Sequence, residues 1–174
     1  LHREGTLHRS LSPASIFVSP DGQGDFRLSG FEWSLRLSGL GGASAKVMGA
    51  NSGLKAPELD REEGEYSTGT DWFDFGILAA ELVGAPVKAS FDRASLRAAI
   101  KKLSTIRSKE KDLILGLIEE DPQIRHSNGE AILQVIRDIT RDLSAATAGS
   151  GRKLVLALRI SDALRQTIQK VSQQ

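Results

Sequence analysis

Residues 70–83, TDWFDFGILAAELV, decide how the rest of this chain must be arranged. The run predicts a helix that is apolar nearly all round. Such a helix has to sit in the middle of a core, covered on every side by other elements. Thr70 is expected as its N-cap, with Asp71 in the first turn, where a carboxylate is favoured by the free amide N–H groups. Gly84-Ala85-Pro86 stops the helix.

Working outward, residues 15–19 (SIFVS) and 26–31 (FRLSGF) read as strands. Pro20-Asp21-Gly22-Gln23-Gly24 between them is a strong turn signal, so a β-hairpin is expected. Residues 38–53 are rich in Gly, Ser and Ala with few apolar anchors and read as a long loop. On the C-terminal side the pattern becomes helical. Residues 95–103 form a short helix. Residues 108–119 form another, with Ser108 as N-cap and Leu113, Ile114, Leu117 and Ile118 on its faces. Asp121-Pro122 breaks it. Ser127 or Asn128 caps a further helix over about residues 129–143, with Ile132, Val135, Ile136 and Ile139 inward. Residues 145–151 are a small-residue linker. Beyond them, 153–160 is a strand or the start of a helix, and 161–171 is helical with Ser161 as cap. The fold class is therefore mainly α with a small β-hairpin. It is neither a βαβ succession nor a sandwich.

Composition narrows the function classes. With 174 residues, 40% hydrophobic and 26% charged, the chain is globular and has enough material for a core. A net charge of +1 gives no electrostatic case for nucleic acid or an anionic membrane surface. The absence of cysteine excludes disulfides and thiolate metal sites. His2, His8 and His126 are too few and too scattered for a metal centre. The apolar stretches are too short to span a bilayer, and no signal peptide opens the chain. A cytoplasmic domain is expected. The chain begins at Leu1-His2 with no initiating methionine, as a segment of a longer polypeptide would.

Five short strings, in order, carry a resemblance. They are His8-Arg9-Ser10-Leu11-Ser12-Pro13-Ala14-Ser15, Ser29-Gly30-Phe31-Glu32, Lys55-Ala56-Pro57-Glu58-Leu59, Asp71-Trp72-Phe73-Asp74-Phe75-Gly76 and Asp121-Pro122-Gln123-Ile124-Arg125. Each alone is weak. Together they resemble the catalytic loop, the D-F-G and A-P-E motifs, the central helix and the late D-P-x-x-R of eukaryotic-like protein kinases. The resemblance covers about residues 1–143 and implies the C-terminal lobe of that fold. It also implies that residues 1–144 are one kinase-like lobe; 145–151 read as a linker and 152–174 as an extension that departs from the family, a candidate start of another domain. The nucleotide-covering lobe would come from sequence ahead of Leu1 or from another chain.

Matching position by position, the resemblance places Ser10 where the family has its catalytic Asp. Ser12 falls at the loop Lys, Ser15 at the Asn that holds the second Mg²⁺, and Gly30 at the Asp of D-F-G. Phe31 keeps the motif's Phe, and Glu32 replaces its Gly. Asp25-Phe26-Arg27 is a decoy for the same motif, but it leaves only nine residues after Ser15 for a strand and a turn. Ser and Gly supply neither a carboxylate base nor a carboxylate for magnesium. Each contributor of this kind is commonly worth about 10²–10³ in rate. The expectation is therefore a pseudokinase with a degenerate site: not an enzyme, using no cofactor and no metal. It would serve as a scaffolding, regulatory or protein-binding module for a protein partner or a neighbouring domain, with no nucleic acid and no membrane insertion. The alternative is an atypical, weak ATP-dependent phosphotransferase drawing on Glu32, Asp25 or Asp74.

The structural residues of the resemblance are kept. Glu58 and Arg125 match the family's buried ion pair. Asp71 matches the Asp that accepts hydrogen bonds from the catalytic-loop backbone, beside the simpler reading of a helix N-terminal charge. His8 is expected as a packed support for the loop. Arg9 matches the residue that pairs with a phosphorylated activation segment, of which Ser34, Ser38, Ser44 and Ser52 are candidate acceptors. Glu62-Glu63-Gly64-Glu65 reads as a solvated turn. Gly41-Gly42 lacks the Lys-Ser/Thr that a phosphate-cradling loop requires.

Overall fold

Helix α1, Thr68–Leu82, occupies the centre of the chain, and apolar side chains cover it on more than one side. In the computed structural model, residues 1–18, 26–36, 54–61, 64–87 and 92–147 are described. The expectations for the hairpin turn, for Asp25, for residues 37–53 with Ser38, Ser44 and Ser52, for Glu62-Glu63 and for the extension 152–174 lie outside those residues.

Around α1 stand α2 (Arg93–Lys102), α3 (Ser108–Leu117) and α4 (Gly129–Thr147). Two small antiparallel pairs lie on the N-terminal side. β2 (Ile16–Val18) pairs with β3 (Phe26–Leu28) in the register Ile16↔Leu28, Phe17↔Arg27, Val18↔Phe26, which is the expected hairpin. β1 (Thr6–Leu7) pairs with β4 (Leu35–Arg36), placing Leu7 opposite Leu35. The sequence gave no sign of this second pair, because strands of two residues carry no readable alternation. Mainly helical, with small antiparallel strand pairs, the fold is compatible with a kinase-like fragment.

The core explains why a helix so uniformly apolar is stable here. Phe73, Leu78 and Ala80 of α1 are buried with Leu7, Ala56, Leu59, Leu96, Ile100, Ile114 and Ile118. A second cluster joins α3 to α4 through Leu113, Leu117, Ile132 and Ile139, with Trp72 and Phe75 packed against it. Gly76 sets how closely α1 and α3 approach. A Cβ built there would lie 2.7 Å from Leu117 Cβ and 2.8 Å from Ile118 Cγ2, too close for any larger residue without moving α3.

Several helix ends differ from expectation for local reasons. Ser67, not Thr70, is the N-cap of α1. Thr70 is the third helical residue, and its Oγ1 accepts the Ser67 N–H at 3.0 Å. α2 starts at Arg93 because the Asp92 carboxylate accepts the Ser95 N–H at 2.6 Å. Ser108 is already helical, and the Arg107 N–H is satisfied by Glu110 at 2.7 Å. Asn128 caps α4, its Oδ1 accepting from the amides of Glu130 and Ala131 at 3.0 and 3.1 Å. α4 runs on to Thr147, into the stretch expected as a linker from residue 145. On its inner side Ile132 and Ile139 are buried and Ile136 is half-buried, but Val135 faces solvent, since its position falls outside the stripe that meets α3.

One ion pair ties the turn before α1 to the turn before α4. Arg125 Nη1 and Nη2 donate to Glu58 Oε1 and Oε2 at 2.6 and 2.8 Å. Its other N–H groups reach the carbonyls of Gly69 (3.1 Å), Glu119 (2.7 Å) and Glu120 (3.4 Å). The Arg125 side chain is fully buried and that of Glu58 nearly so. Burial works to raise the Glu58 carboxyl. The hydrogen bonds from Arg125 and from its own backbone, with the Arg125 charge, outweigh it and hold the group below the ordinary carboxylate range. Because all five guanidinium donors are used, removing either partner strands the other in the core. Glu58→Ala and Arg125→Ala are each expected to cost about 3–5 kcal/mol, and the double variant clearly less than the sum of the two. Urea unfolding of the three variants checks this, and losses below about 1 kcal/mol, the level of a surface pair, contradict it.

Candidate functional site

The residues singled out by the five strings converge on the N-terminal half of α1. Asp71, in its first turn, is buried at 6% exposure, and its carboxylate is fully occupied. Oδ2 accepts the His8 N–H and Oδ1 the Arg9 N–H, both at 2.8 Å. The His2 ring donates from Nε2 to Oδ2 at 2.8 Å. The side chain thus acts as more than a helix N-terminal charge. It braces a turn 62 and 63 residues away in sequence. That turn needs bracing, because Arg9 has φ +67°, a left-handed conformation that costs a non-glycine residue about 1 kcal/mol or more.

His8 is buried behind the turn. Its Nε2 donates to the Ser29 carbonyl at 2.7 Å, and its Nδ1 faces the Ser10 N–H at 3.4 Å. A carbonyl only accepts and an amide only donates, so the ring proton sits on Nε2. The ring also meets Phe31 edge-on, with centroids 5.1 Å apart. His8 therefore ties the turn before Ser10 to the segment Ser29–Phe31. The Arg9 guanidinium lies over the Tyr66 ring, 4.4 Å from its centroid. Burial, set against the Arg9 charge, pushes the Tyr66 hydroxyl above its ordinary value, with the carboxylates of Asp74 and Asp71 adding to the rise.

Ser10, Ser12, Ser15 and Gly30 lie close to this support. Ser15 Oγ donates to the Ser12 carbonyl at 2.7 Å and accepts the Ser12 N–H at 3.0 Å, closing the short 3₁₀ turn Pro13–Ser15 on itself. The Ser15 carbonyl accepts the Ser29 N–H at 2.8 Å. Ser15 is buried and committed to backbone, so its hydroxyl is not presented to a ligand. Gly30 has φ +82°, and a Cβ there would be 3.4 Å from Ser15 Cβ and 3.5 Å from His8 Cε1, in ordinary contact. Ser10 is half-buried, whereas Glu32 is exposed. Ser10, Ser12, Ser15 and Gly30 supply no carboxylate of the kind magnesium favours. Among the described residues no group of three or more His, Asp or Glu stands ready to hold a metal ion. Also among them, no helix is long and apolar enough to cross a membrane.

Two residues gain importance only in the structure. Tyr66, the one tyrosine in the chain, carries no motif and is identified by its contact with Arg9. Asp74 was visible in the sequence only as a spare carboxylate. In the structure it lies one turn beyond Asp71 and is buried. Burial first, then the charges of Asp71 and Glu58, push it up to about 8 against the pull of Arg125.

No protein-family model matches the chain. Among curated proteins it is 28% identical over 146 residues to the serine/threonine-protein kinase AtPK2/AtPK19 of Arabidopsis thaliana, covering 79% of this chain and 29% of that protein. It is 28% identical over 131 residues to developmentally-regulated protein kinase 1 of Dictyostelium discoideum, covering 72% and 18%. It is 29% identical over 135 residues to the Aurora kinase of Schizosaccharomyces pombe, covering 73% and 36%. The chain thus spans less than a third of the length of the first of these relatives. The matches are distant and partial, and they support a relationship to the protein kinase superfamily. They also correct one expectation. The residues at the matched positions suggest that the chain is not an enzyme, whereas the proteins it resembles are named as protein kinases and point to one.

The brace makes a direct prediction. Asp71→Ala leaves two backbone N–H groups without an acceptor, at about 1–3 kcal/mol each. A loss of about 2–5 kcal/mol in urea unfolding is expected, with faster amide exchange at His8 and Arg9 than at Leu117. A loss under about 1 kcal/mol, the net worth of one ordinary hydrogen bond, contradicts the role given to Asp71.

Proposed function

We propose that residues 1–143 are the C-terminal lobe of a kinase-like domain. In this reading the lobe binds partner or substrate for an atypical ATP-dependent phosphotransferase of the serine/threonine-kinase type, working with a nucleotide-covering lobe and transferring phosphate slowly. One observation carries this reading: the Asp71 brace and the Glu58–Arg125 pair are kept intact under a turn whose own side chain is Ser10. A scaffold of buried charge is costly to maintain and supports a loop whose geometry still matters. The kinase names of the relatives favour transfer as the activity. Slowness follows from the residues. Positioning and electrostatic stabilisation are most of phosphoryl-transfer catalysis, and Ser10 and Gly30 supply no charge where the family supplies carboxylates.

A second reading, a protein-binding or regulatory module, is favoured by a separate observation. Phe17 (58% exposed), Phe26 (53%), Leu28 (38%) and Phe31 (42%) leave apolar surface on and beside the hairpin. Exposed apolar patches of this kind mark contact with a protein partner or a neighbouring domain.

The discriminating experiment measures γ-phosphate transfer from ATP by the longest natural polypeptide carrying this chain, alongside Ser10→Asp/Gly30→Asp. Asp tolerates left-handed φ better than most residues, and the space at Gly30 admits a Cβ, so the pair is expected to fold. Slow transfer in the natural protein and a rise of about 10²-fold or more in the pair support the first reading. No transfer by either folded protein, with no Mg²⁺-dependent shift of melting temperature by nucleotide, leaves the binding module.

A further inference from the structure

Asp71 grips the main chain of the His8–Arg9 turn, and the Arg9 side chain is held separately. Its guanidinium lies 4.4 Å from the centroid of the Tyr66 ring, which is buried at 6% exposure. A guanidinium over an aromatic face is attracted by the negative face of the ring, more strongly where water is excluded. Tyr66 is itself fixed from both sides. Ahead of it, Gly64 runs so close to the turn Pro57–Asp60 that a Cβ would lie 2.1 Å from the Glu58 carbonyl oxygen. After it, Ser67 caps α1, and the Ser67 N–H donates to Thr70 Oγ1 at 3.0 Å. That hydroxyl donates onward to Glu58 Oε1 at 3.3 Å. Tyr66 is therefore anchored to the Glu58–Arg125 pair, and the turn is held from two directions.

We propose that Tyr66 is a positioning residue for the turn that carries Ser10: its ring is the shelf on which the Arg9 guanidinium rests, and it keeps Arg9 in its left-handed conformation. Tyr66 touches no reacting atom and acts through Arg9. The amides that Asp71 accepts, those of His8 and Arg9, lie ahead of the Arg9 Cα. The Arg9 side chain is the next point along the chain at which the turn is gripped, immediately before Ser10. A left-handed arginine relaxes readily once its side chain is released, because the right-handed region is the cheaper one for a residue with a Cβ.

The shelf concerns the position of the turn and stands on the geometry alone. Its effect on phosphate transfer rests on the reading of the chain as a slow phosphotransferase. The two claims separate experimentally. Tyr66→Phe keeps the aromatic face, Tyr66→Leu removes it, and Arg9→Met removes the guanidinium while leaving the ring in place. Loss of a buried ring also lowers global stability, so the informative quantity is amide exchange at Arg9 and Ser10 relative to the core amide of Leu117.

The test uses the longest natural polypeptide carrying this chain. Tyr66→Leu and Arg9→Met are each expected to speed exchange at Arg9 and Ser10 about three- to thirtyfold more than at Leu117, as loss of one cation–aromatic contact requires. Tyr66→Phe is expected to match the natural protein, and the double variant Arg9→Met/Tyr66→Leu to go no further than the larger single effect. Exchange at Arg9 and Ser10 that rises only in step with Leu117, or rises equally in Tyr66→Phe, overturns the shelf. Should Tyr66→Leu fail to fold, Arg9→Met decides by the same comparison. In the transfer assay, Tyr66→Leu is expected to lower kcat about tenfold or more with KM for ATP unchanged, and Tyr66→Phe to retain the natural kcat. An unchanged kcat in Tyr66→Leu, beside faster exchange, overturns the role of the shelf in transfer. Absence of transfer by the natural protein counts against the phosphotransferase reading, and the exchange comparison still decides the shelf.

Discussion

A single carboxylate, that of Asp71, fixes the relation between the central helix and the turn at His8–Arg9. Backbone amides in a left-handed turn have no regular partner, and a buried amide without an acceptor is expensive. Asp71 supplies two acceptors from one side chain. The helix that carries it is held in place by packing on several sides, so the brace has a rigid foundation. The braced turn places His8, and through it the hydrogen bond to Ser29 and the contact with Phe31.

The centre of the molecule is also where acidic groups accumulate. Glu58, Asp71 and Asp74 lie around the N-terminal half of α1, and each meets burial differently. Glu58 is compensated by a guanidinium and stays charged. Asp71 is compensated by hydrogen-bond donors. No hydrogen bond to Asp74 is seen among the described residues, and burial raises its carboxyl to about 8. Identical chemistry thus gives three behaviours, separated only by what each carboxyl touches. The same logic applies to the serines. Ser15 is consumed by its own turn, while Ser10 sits on the braced one, so the two are not equivalent candidates for chemistry.

The relation to protein kinases and the residues at positions 10 and 30 pull in different directions. The relatives' names point to an enzyme, and Ser10 and Gly30 carry no charge. Phosphoryl transfer depends on charge placed at fixed points. That is why the architectural pairs and the transfer residues are informative separately.

Much of the fold was legible in the sequence because its signals are local or periodic. The all-round apolar run of α1, the hairpin and the order of helices follow from side-chain pattern and turn residues. Glu58, Asp71 and Arg125 are singled out by the resemblance, and the structure places each in a buried or nearly buried polar contact. Tertiary structure alone decided the rest. The β1–β4 pair joins two-residue strands too short to show a pattern. The true caps, Ser67 and Asp92, win because their neighbours Thr70 and Ser95 complete the hydrogen bonds, which composition alone does not rank. Val135 faces water because the α3–α4 contact selects one stripe of an amphipathic helix. The sequence by itself determined where the apolar runs and the helices lie. Only the fold decided which buried charges found a partner, since a carboxyl's state depends on donors brought to it from distant parts of the chain.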